Sequence, residues 1–496
     1  MPFLLGLYSF LLLLPTPNFL FANDLRLSHL SKISSTQLQV DVSWANSWRN
    51  GGGEEPEFHD AVWVFGKWRT NGGEWLPLPF VADPAAYPPH DSLEMIPALD
   101  EVGIMLRRAQ DGMGQIQADG LELILAQALP PGPIEILLFG MEMVYVPEGP
   151  FFLGDESSFH HFRDSSNGSS FWVQDEAVIL ATDLSVGSEA SLGGDIPASY
   201  PKGFGAFYLM KYELSQAQYR DFLNCLTFEQ QQQRTVNSPK SVVGTAAMAS
   251  SPAFSQRNGL VIAQSGQAPD LPAVYACEAT IDGQFDQTDD GQNRAANFLN
   301  GSDLLAYLDW AGLRPMTELE FEKACRGPIA PLAGEFAWGT AQVIDANTLV
   351  DDGLETESVS EIATATAGLA SHGYAGPQGA LRVGFGGTPT SDRLQSGSSY
   401  YGARELSGNV WEICVGVDSL GLLFDGQHGD GQLNSQGEAE VPGWQTGAMR
   451  YRGGGFNSGI VAEFRDLAVS DRFYHDLIAN LRRGTSGGRG ARTMGN

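Results

Sequence analysis

Four cysteines, Cys225, Cys277, Cys325 and Cys414, are the soft donors this chain can offer a metal or a redox partner. No two form a Cys-x-x-Cys pair and none joins a histidine at zinc spacing, so no thiolate metal motif is present. In an exported chain they can make one or two disulfides, whose pairing spacing does not reveal; buried free thiols are the equal alternative. The eight histidines, His29, His59, His90, His160, His161, His372, His428 and His475, include no i, i+4 pair that would set two imidazoles on one helix face. His160 and His161 are adjacent, and adjacent side chains on a regular element point apart. Each histidine reads as a surface or hydrogen-bonded structural residue.

Charge is distributed unevenly. The net charge is -30, from 59 acidic and 29 basic residues. Such a surface repels phosphate backbones and anionic headgroups, which argues against nucleic acid as a partner. Asp282-Gly283, Asp286, Asp289, Asp290-Gly291 and Asn293 make an acidic, glycine-containing loop without EF-hand spacing or its terminal glutamate, and it reads as solvated. The stretch from Asn457 to Arg492 instead concentrates arginine at Arg465, Arg472, Arg482, Arg483 and Arg489. Internal ion pairs account for such a cluster; a ligand surface made by Arg472, Tyr474 and His475 is the sharper expectation.

The elements that must position these groups are short. The 496 residues, 59 of them glycine, exceed one ordinary domain, and an all-β or α+β chain rich in turns is expected. Leu38 to Trp44 alternates apolar and polar residues as a half-buried strand does. Ala61 to Trp68, Gly103 to Leu106, Leu121 to Leu125 and Ile134 to Phe139 follow, separated by loops such as Asn50-Gly51-Gly52-Gly53. This rhythm predicts an Ig-like β-sandwich over 23–139, with Trp44, Trp48 and Trp63 as core or edge packing residues, the alternative being that one of them stacks on carbohydrate. From residue 140 the texture changes to short strands, a few capped helices and long glycine-rich loops. Ser215-Gln216-Ala217-Gln218 and Thr317-Glu318-Leu319-Glu320 are capping boxes, Ser302 caps a helix through Trp310, and Gly327 stops the helix that Thr317 starts. Gln230 to Gln233 and Ala363 to Ala367 are assigned to loops. Residues 1–22 carry an apolar run from Phe3 to Leu14, then Pro15 and Pro17, and a small residue at Ala22; they read as a secretory signal, too short and too broken by proline for a membrane span.

Met143-Val144-Tyr145-Val146-Pro147-Glu148-Gly149-Pro150-Phe151-Phe152-Leu153-Gly154 reads locally as a hairpin, and its wording resembles the opening of the formylglycine-generating (sulfatase-modifying) enzyme family. The family's later landmarks follow in order. They are Phe207 to Ser215 with Tyr219 and Phe222, Leu313 to Gly327, Trp338-Gly339, Leu406-Ser407-Gly408-Asn409-Val410-Trp411-Glu412, Arg452-Gly453-Gly454-Gly455-Phe456, and Gly488-Arg489 beside Ala491-Arg492. Six ordered landmarks over 140–496 carry the resemblance. It implies the family's irregular C-type-lectin-like fold behind the amino-terminal sandwich, hence an α+β chain.

The resemblance also says what is missing. Family enzymes oxidise a sulfatase cysteine with copper(I) and dioxygen, holding the soft ion between two thiolates just after the Arg-Gly-Gly segment. Ser458 and Glu463 stand at those two positions, and neither a hydroxyl nor a hard carboxylate replaces a thiolate. The family also binds calcium around the Gly-Asn-Val-Trp-Glu segment. Carried over, that implies a site of Glu405, Glu412 and the carbonyls of Gly408 and Val410, with a weaker second site at Asn347. The expectation is an exported, catalytically degenerate binding or structural module stabilised by calcium, acting on a protein or glycan at the cell surface without spanning the membrane. Two alternatives stand beside it: an oxidoreductase with a displaced thiolate site using Cys325 and Cys414 or a different metal, and a glycan-binding surface protein.

Overall fold

The amino-terminal strands are β1 (Arg26–Lys32), β2 (Gln37–Asn50), β3 (Phe58–Thr70), β4 (Leu76–Pro77), β5 (Leu93–Pro97), β6 (Gly103–Arg108), β7 (Gly112–Ile124) and β8 (Ile134–Val146). In this computed structural model the described residues are 25–51, 57–157, 160–187, 192–249, 255–373, 376–388, 390–459 and 466–495. The 1–22 segment and Glu463 lie outside them.

Strand β3 organises the molecule. Val62 and Val64 enter one apolar core with Val40, Val42 and Trp44 of β2 and Ile116 and Leu121 of β7. Ala61, Trp63 and Phe65, on the opposite face, enter a second core with Tyr219 and Phe222 of helix α1 (Gln216–Asn224) and Tyr307 and Trp310 of the helix Gly301–Trp310. A strand buried on both faces reads as a nearly continuous apolar run, which is why Ala61 to Phe65 shows no polar alternation. Trp310 meets Phe65 and Phe139 edge-on at 5.0 and 4.8 Å, and Trp63 Nε1 donates to the carbonyl of Ala311 at 2.9 Å.

The backbone is continuous through the same region. β3 pairs with β6 on one side and with β8 on the other, from Asp60 opposite Val144 to Thr70 opposite Ile134. β8 then runs on to pair Met143 to Val146 with the strand Phe207–Met210, which pairs with Gly490–Arg492, which pairs with Arg314–Pro315. Residue 140 therefore lies inside a strand shared by both halves, and the sheet has 11 strands. The chain is α+β, mostly sheet with short helices.

The capping chemistry shows which helix signals operate. Ser215 with Gln218 and Thr317 with Glu320 form complete capping boxes for α1 and for the helix Glu318–Arg326, which ends at Gly327 with φ 69°. Two expectations are corrected. The helix Gly301–Trp310 is capped by Asn300, whose side chain accepts from the Asp303 amide, and Ser302 lies inside it. The glutamine run is helical (α2, Phe228–Arg234), because Thr227 and Gln230 form a further capping box and buried Gln231 bonds the carbonyls of Leu223 and Ala273. The hairpin expected at Met143 to Gly154 is also absent: Phe151–Leu153 pairs with Phe171–Val173 instead, since Pro147 and Pro150 carry the chain out of the sheet. With these two named, the remaining helices in chain order are α3 (Gly301–Trp310) and α4 (Glu318–Arg326).

Candidate functional site

Helix α4 presents three buried glutamates, Glu318 and Glu322 matched to arginines distant in sequence and Glu320 to nearby Arg314. Glu318 accepts from Arg472 Nε at 2.6 Å and Nη2 at 2.8 Å, and from Arg452 Nη1 at 3.1 Å. Glu322 accepts from Arg452 Nη2 at 2.8 Å, and Glu320 is held by both terminal nitrogens of Arg314 at 2.8 and 2.6 Å. Burial alone would raise the Glu318 pKa, but the guanidiniums of Arg472 and Arg452 and the Val417 amide outweigh it and hold the carboxyl at about 2.

This network locates the expected ligand residues. Arg472 is 3% exposed, bidentate to Glu318 and stacked on Phe162 at 4.1 Å, so it is a buried structural cation and does not face solvent. Tyr474 is half-buried, edge-on to Trp411 at 5.1 Å. His475 is half-buried too, with Nδ1 against the Arg472 carbonyl at 2.7 Å and its ring 6.0 Å from that of His160. The fold thus brings together two histidines far apart in the chain.

A second cluster surrounds Arg489. Its Nε donates to Glu412 Oε1 at 2.6 Å, and the guanidinium also lies within electrostatic reach of Glu213 and Glu405. Glu213, which the sequence reading did not single out, accepts from the Asn409 side chain at 2.5 Å and the Val410 amide at 3.0 Å. Glu405 accepts from the Gly384 amide at 3.0 Å and sits in left-handed backbone, φ 55°. Burial pushes all three carboxyls upward, Glu405 to about 7. Glu405 Oε2 and Glu412 Oε2 are buried with no hydrogen-bond partner. Gly408 and Val410 lie on the same turn, where Gly408 takes φ 101° and its amide donates to the Gly453 carbonyl. Asn347 is exposed and elsewhere: its amide donates to Glu361 Oε2 at 3.2 Å, beside Asp345. Among the described residues, no three His, Cys, Asp or Glu side chains converge as a ligand set.

Ser458 lies in a third place. It is buried; its Oγ accepts from the Gly455 amide at 2.9 Å and bonds the Asp466 carboxylate, and its carbonyl accepts from Gly373 at 2.9 Å. Next to Gly373, His372 is buried with neither ring nitrogen hydrogen-bonded, and burial lowers its pKa despite nearby Asp345. All four cysteines are free and buried, and burial raises each thiol far above its ordinary range. Such thiols are inert at neutral pH. Cys325 and Cys414 share one apolar cluster with Phe321, Met316 and Leu209. In the acidic loop, Asp286 pairs with Arg220 at 2.7 Å and Asp290 accepts from the Ala279 and Gln287 amides, so part of that loop is internally bonded rather than solvated.

No helix among the described residues is long and apolar enough to cross a membrane. No curated protein sequence matches the chain. Residues 140–459 match the family described as the sulfatase-modifying factor enzyme 1-like domain, well over half of the chain and ending one residue past Ser458. With the α4 glutamates, the Gly-Asn-Val-Trp-Glu segment and the Arg-Gly-Gly segment all built into that span, the chain belongs to the sulfatase-modifying factor family.

Proposed function

We propose that this chain is an exported, catalytically degenerate member of its family that acts as a binding or structural module. The observation that carries the reading is Ser458. At the first of the family's thiolate positions stands a buried hydroxyl already committed to Gly455 and Asp466, and Glu463 stands at the second. Copper(I) is soft, and the donors here are hard; the group does not fit these residues. The displaced-thiolate alternative needs accessible thiolates, whereas Cys325 and Cys414 are wholly buried and protonated.

Calcium is the ion the donor chemistry favours. Two orphaned, buried carboxylate oxygens on Glu405 and Glu412 suit a hard cation, which would help neutralise three buried carboxyls of which Glu412 is the one paired directly with a guanidinium. When bound, it would supply structural stabilisation of the Gly408 to Val410 turn. The pairing of β1, β2 and β7 against β3, β5 and β6 around one apolar core supports the Ig-like sandwich reading of 23–139. Export rests on the apolar segment within 1–22.

The deciding experiment is copper(I) titration of the full chain with an oxidation assay on a cysteine-containing sulfatase peptide. Weak, non-stoichiometric binding and no formylglycine are expected. Tight stoichiometric binding with turnover overturns the proposal.

A further inference from the structure

Between the amino-terminal sheet and the family domain lies a cleft of about 1130 Å³, whose lining does not include Ser458 and which borders the Arg489 cluster at Arg404 and Gly384. One wall is the tip of β2 and β7, carrying Trp48 and Met113; the other is built from the loops bearing Ile362, Arg382 and Arg404. Three features of its lining point to a ligand.

The first is charge. Most arginines of this acidic chain have a carboxylate within ion-pair distance, but Arg382 and Arg404 have none. Arg382 is held by backbone, donating to the carbonyls of Glu357 at 2.6 Å, Val383 at 3.1 Å and Gly384 at 3.1 Å. Arg404 donates to the Ser396 carbonyl at 3.1 Å, while its buried Nε has no partner. Buried Glu405 acts on both guanidiniums at longer range, but neither has a carboxylate in direct contact, and the fixed pair, close enough to repel each other, forms an oxyanion site. Of the acidic residues on the cleft, Glu361 is occupied by the amides of Asn347 and Thr348, and Glu355 is exposed.

The second is the aromatic wall. Trp48 is half-buried, its indole wedged against Phe58 at 5.4 Å and against Gly402, where an added Cβ would come within 3.1 Å of the ring. A side chain at 402 would dislodge the indole. The third is the polar lining. Thr356, Ser358, Thr388, Ser391 and Gln395 offer hydroxyls and an amide, the complement of a polyhydroxylated ligand.

We infer that this cleft binds an acidic oligosaccharide, its carboxylate or sulfate on Arg404 and Arg382 and a sugar ring against Trp48. The volume exceeds that of an ordinary small-molecule pocket, and the net charge of -30 disfavours a long polyanion by long-range repulsion, so a short acidic segment is the ligand that fits. The inference gives the binding module a ligand class and rests on that reading, though its site shares no residue with Ser458.

The test is calorimetric titration of the full chain with tetragalacturonate, a sulfated tetrasaccharide, neutral cellotetraose and a tetraglutamate peptide. At least one acidic saccharide should bind about tenfold or more tightly than cellotetraose, and Arg404→Gln should weaken it by a similar factor. Which acidic arm wins separates carboxylate from sulfate. Met113→Glu and Ile362→Glu, at positions each 82% exposed, keep the test valid if Arg404→Gln fails to fold; each should weaken the acidic saccharide several-fold. Equal affinity for cellotetraose, preference for the peptide, no binding of either acidic saccharide, or unchanged affinity in both rim variants overturns the inference. Copper turnover alongside saccharide binding would remove the degenerate reading and leave the site standing.

Discussion

Arg489 Nε holds Glu412 at 2.6 Å with both groups wholly buried, and the far oxygen of that carboxylate is left without a partner. With Glu213 and Glu405 in reach of the same guanidinium, the cluster can satisfy its charge by taking protons or by taking a cation. These two solutions respond oppositely to pH.

Glu405 rises from 4.5 to about 7, first because of burial. A carboxyl raised in the folded state binds more protons there than in the unfolded chain, so its contribution is full below about pH 4.5 and is lost as pH rises through about 7. The loss is on the order of 3 kcal/mol for this group. A bound calcium ion removes the need for that proton. Thermal melts should therefore show a calcium-induced rise in Tm that is larger at pH 8 than at pH 5. Glu405→Gln, neutral at both, should flatten the pH slope and abolish the difference. A calcium effect of equal size at both pH values would contradict the site. Asp309 and Asp471, also raised to about 7, add to the same slope in both proteins, so the comparison between variants isolates Glu405 together with Glu213, whose carboxyl the charge of Glu405 helps to raise.

Ser458→Cys with Glu463→Cys tests the degenerate site by restoring it. The double variant should gain tight copper(I) binding in a competition assay against a chelator, while Ser458→Cys alone should gain little, because copper(I) in this family needs two thiolates. If the unaltered chain competes as well as the double variant, the ion is held elsewhere.

Arg472 shows how far sequence reasoning reached. An arginine-rich tail in an acidic chain suggested a ligand surface, yet the partner of Arg472 is Glu318, separated by 154 residues. Spacing cannot reveal such a pair. The capping boxes at Ser215 and Thr317 were legible because both halves lie within four residues, and the box at Thr227 went unread behind the composition of the glutamine run. Glu213 left a signal, an acid ending the apolar strand Phe207–Met210 and its Lys211-Tyr212 extension, but its partners Asn409 and Val410 come from another landmark.

Glu318→Gln should accordingly act on stability. It removes the charge that Arg452 and Arg472 share in a dry environment, and breaking such a buried set costs about 3–5 kcal/mol. Arg472→Ala should destabilise comparably in urea while leaving saccharide affinity unchanged. A loss of binding in Arg472→Ala at full stability would return that residue to the ligand surface.

The amino-terminal strands and the family domain share cores, which sets a final expectation. Trp63 is wholly buried between the Ala311 carbonyl and the Arg492 guanidinium, the latter 4.1 Å from its ring. Trp63→Ala removes apolar contact and orphans that carbonyl, a loss of about 3–5 kcal/mol. Deleting residues 1–132 is more severe. It keeps β8 but uncovers Phe139, Met141 and Trp310, which now pack on Phe65 and its neighbours. The truncated chain should bind a hydrophobic dye and lose its cooperative melt, as a collapsed state without fixed packing does. A sharp transition at the full chain's Tm would instead mean that the family domain closes its core without β3.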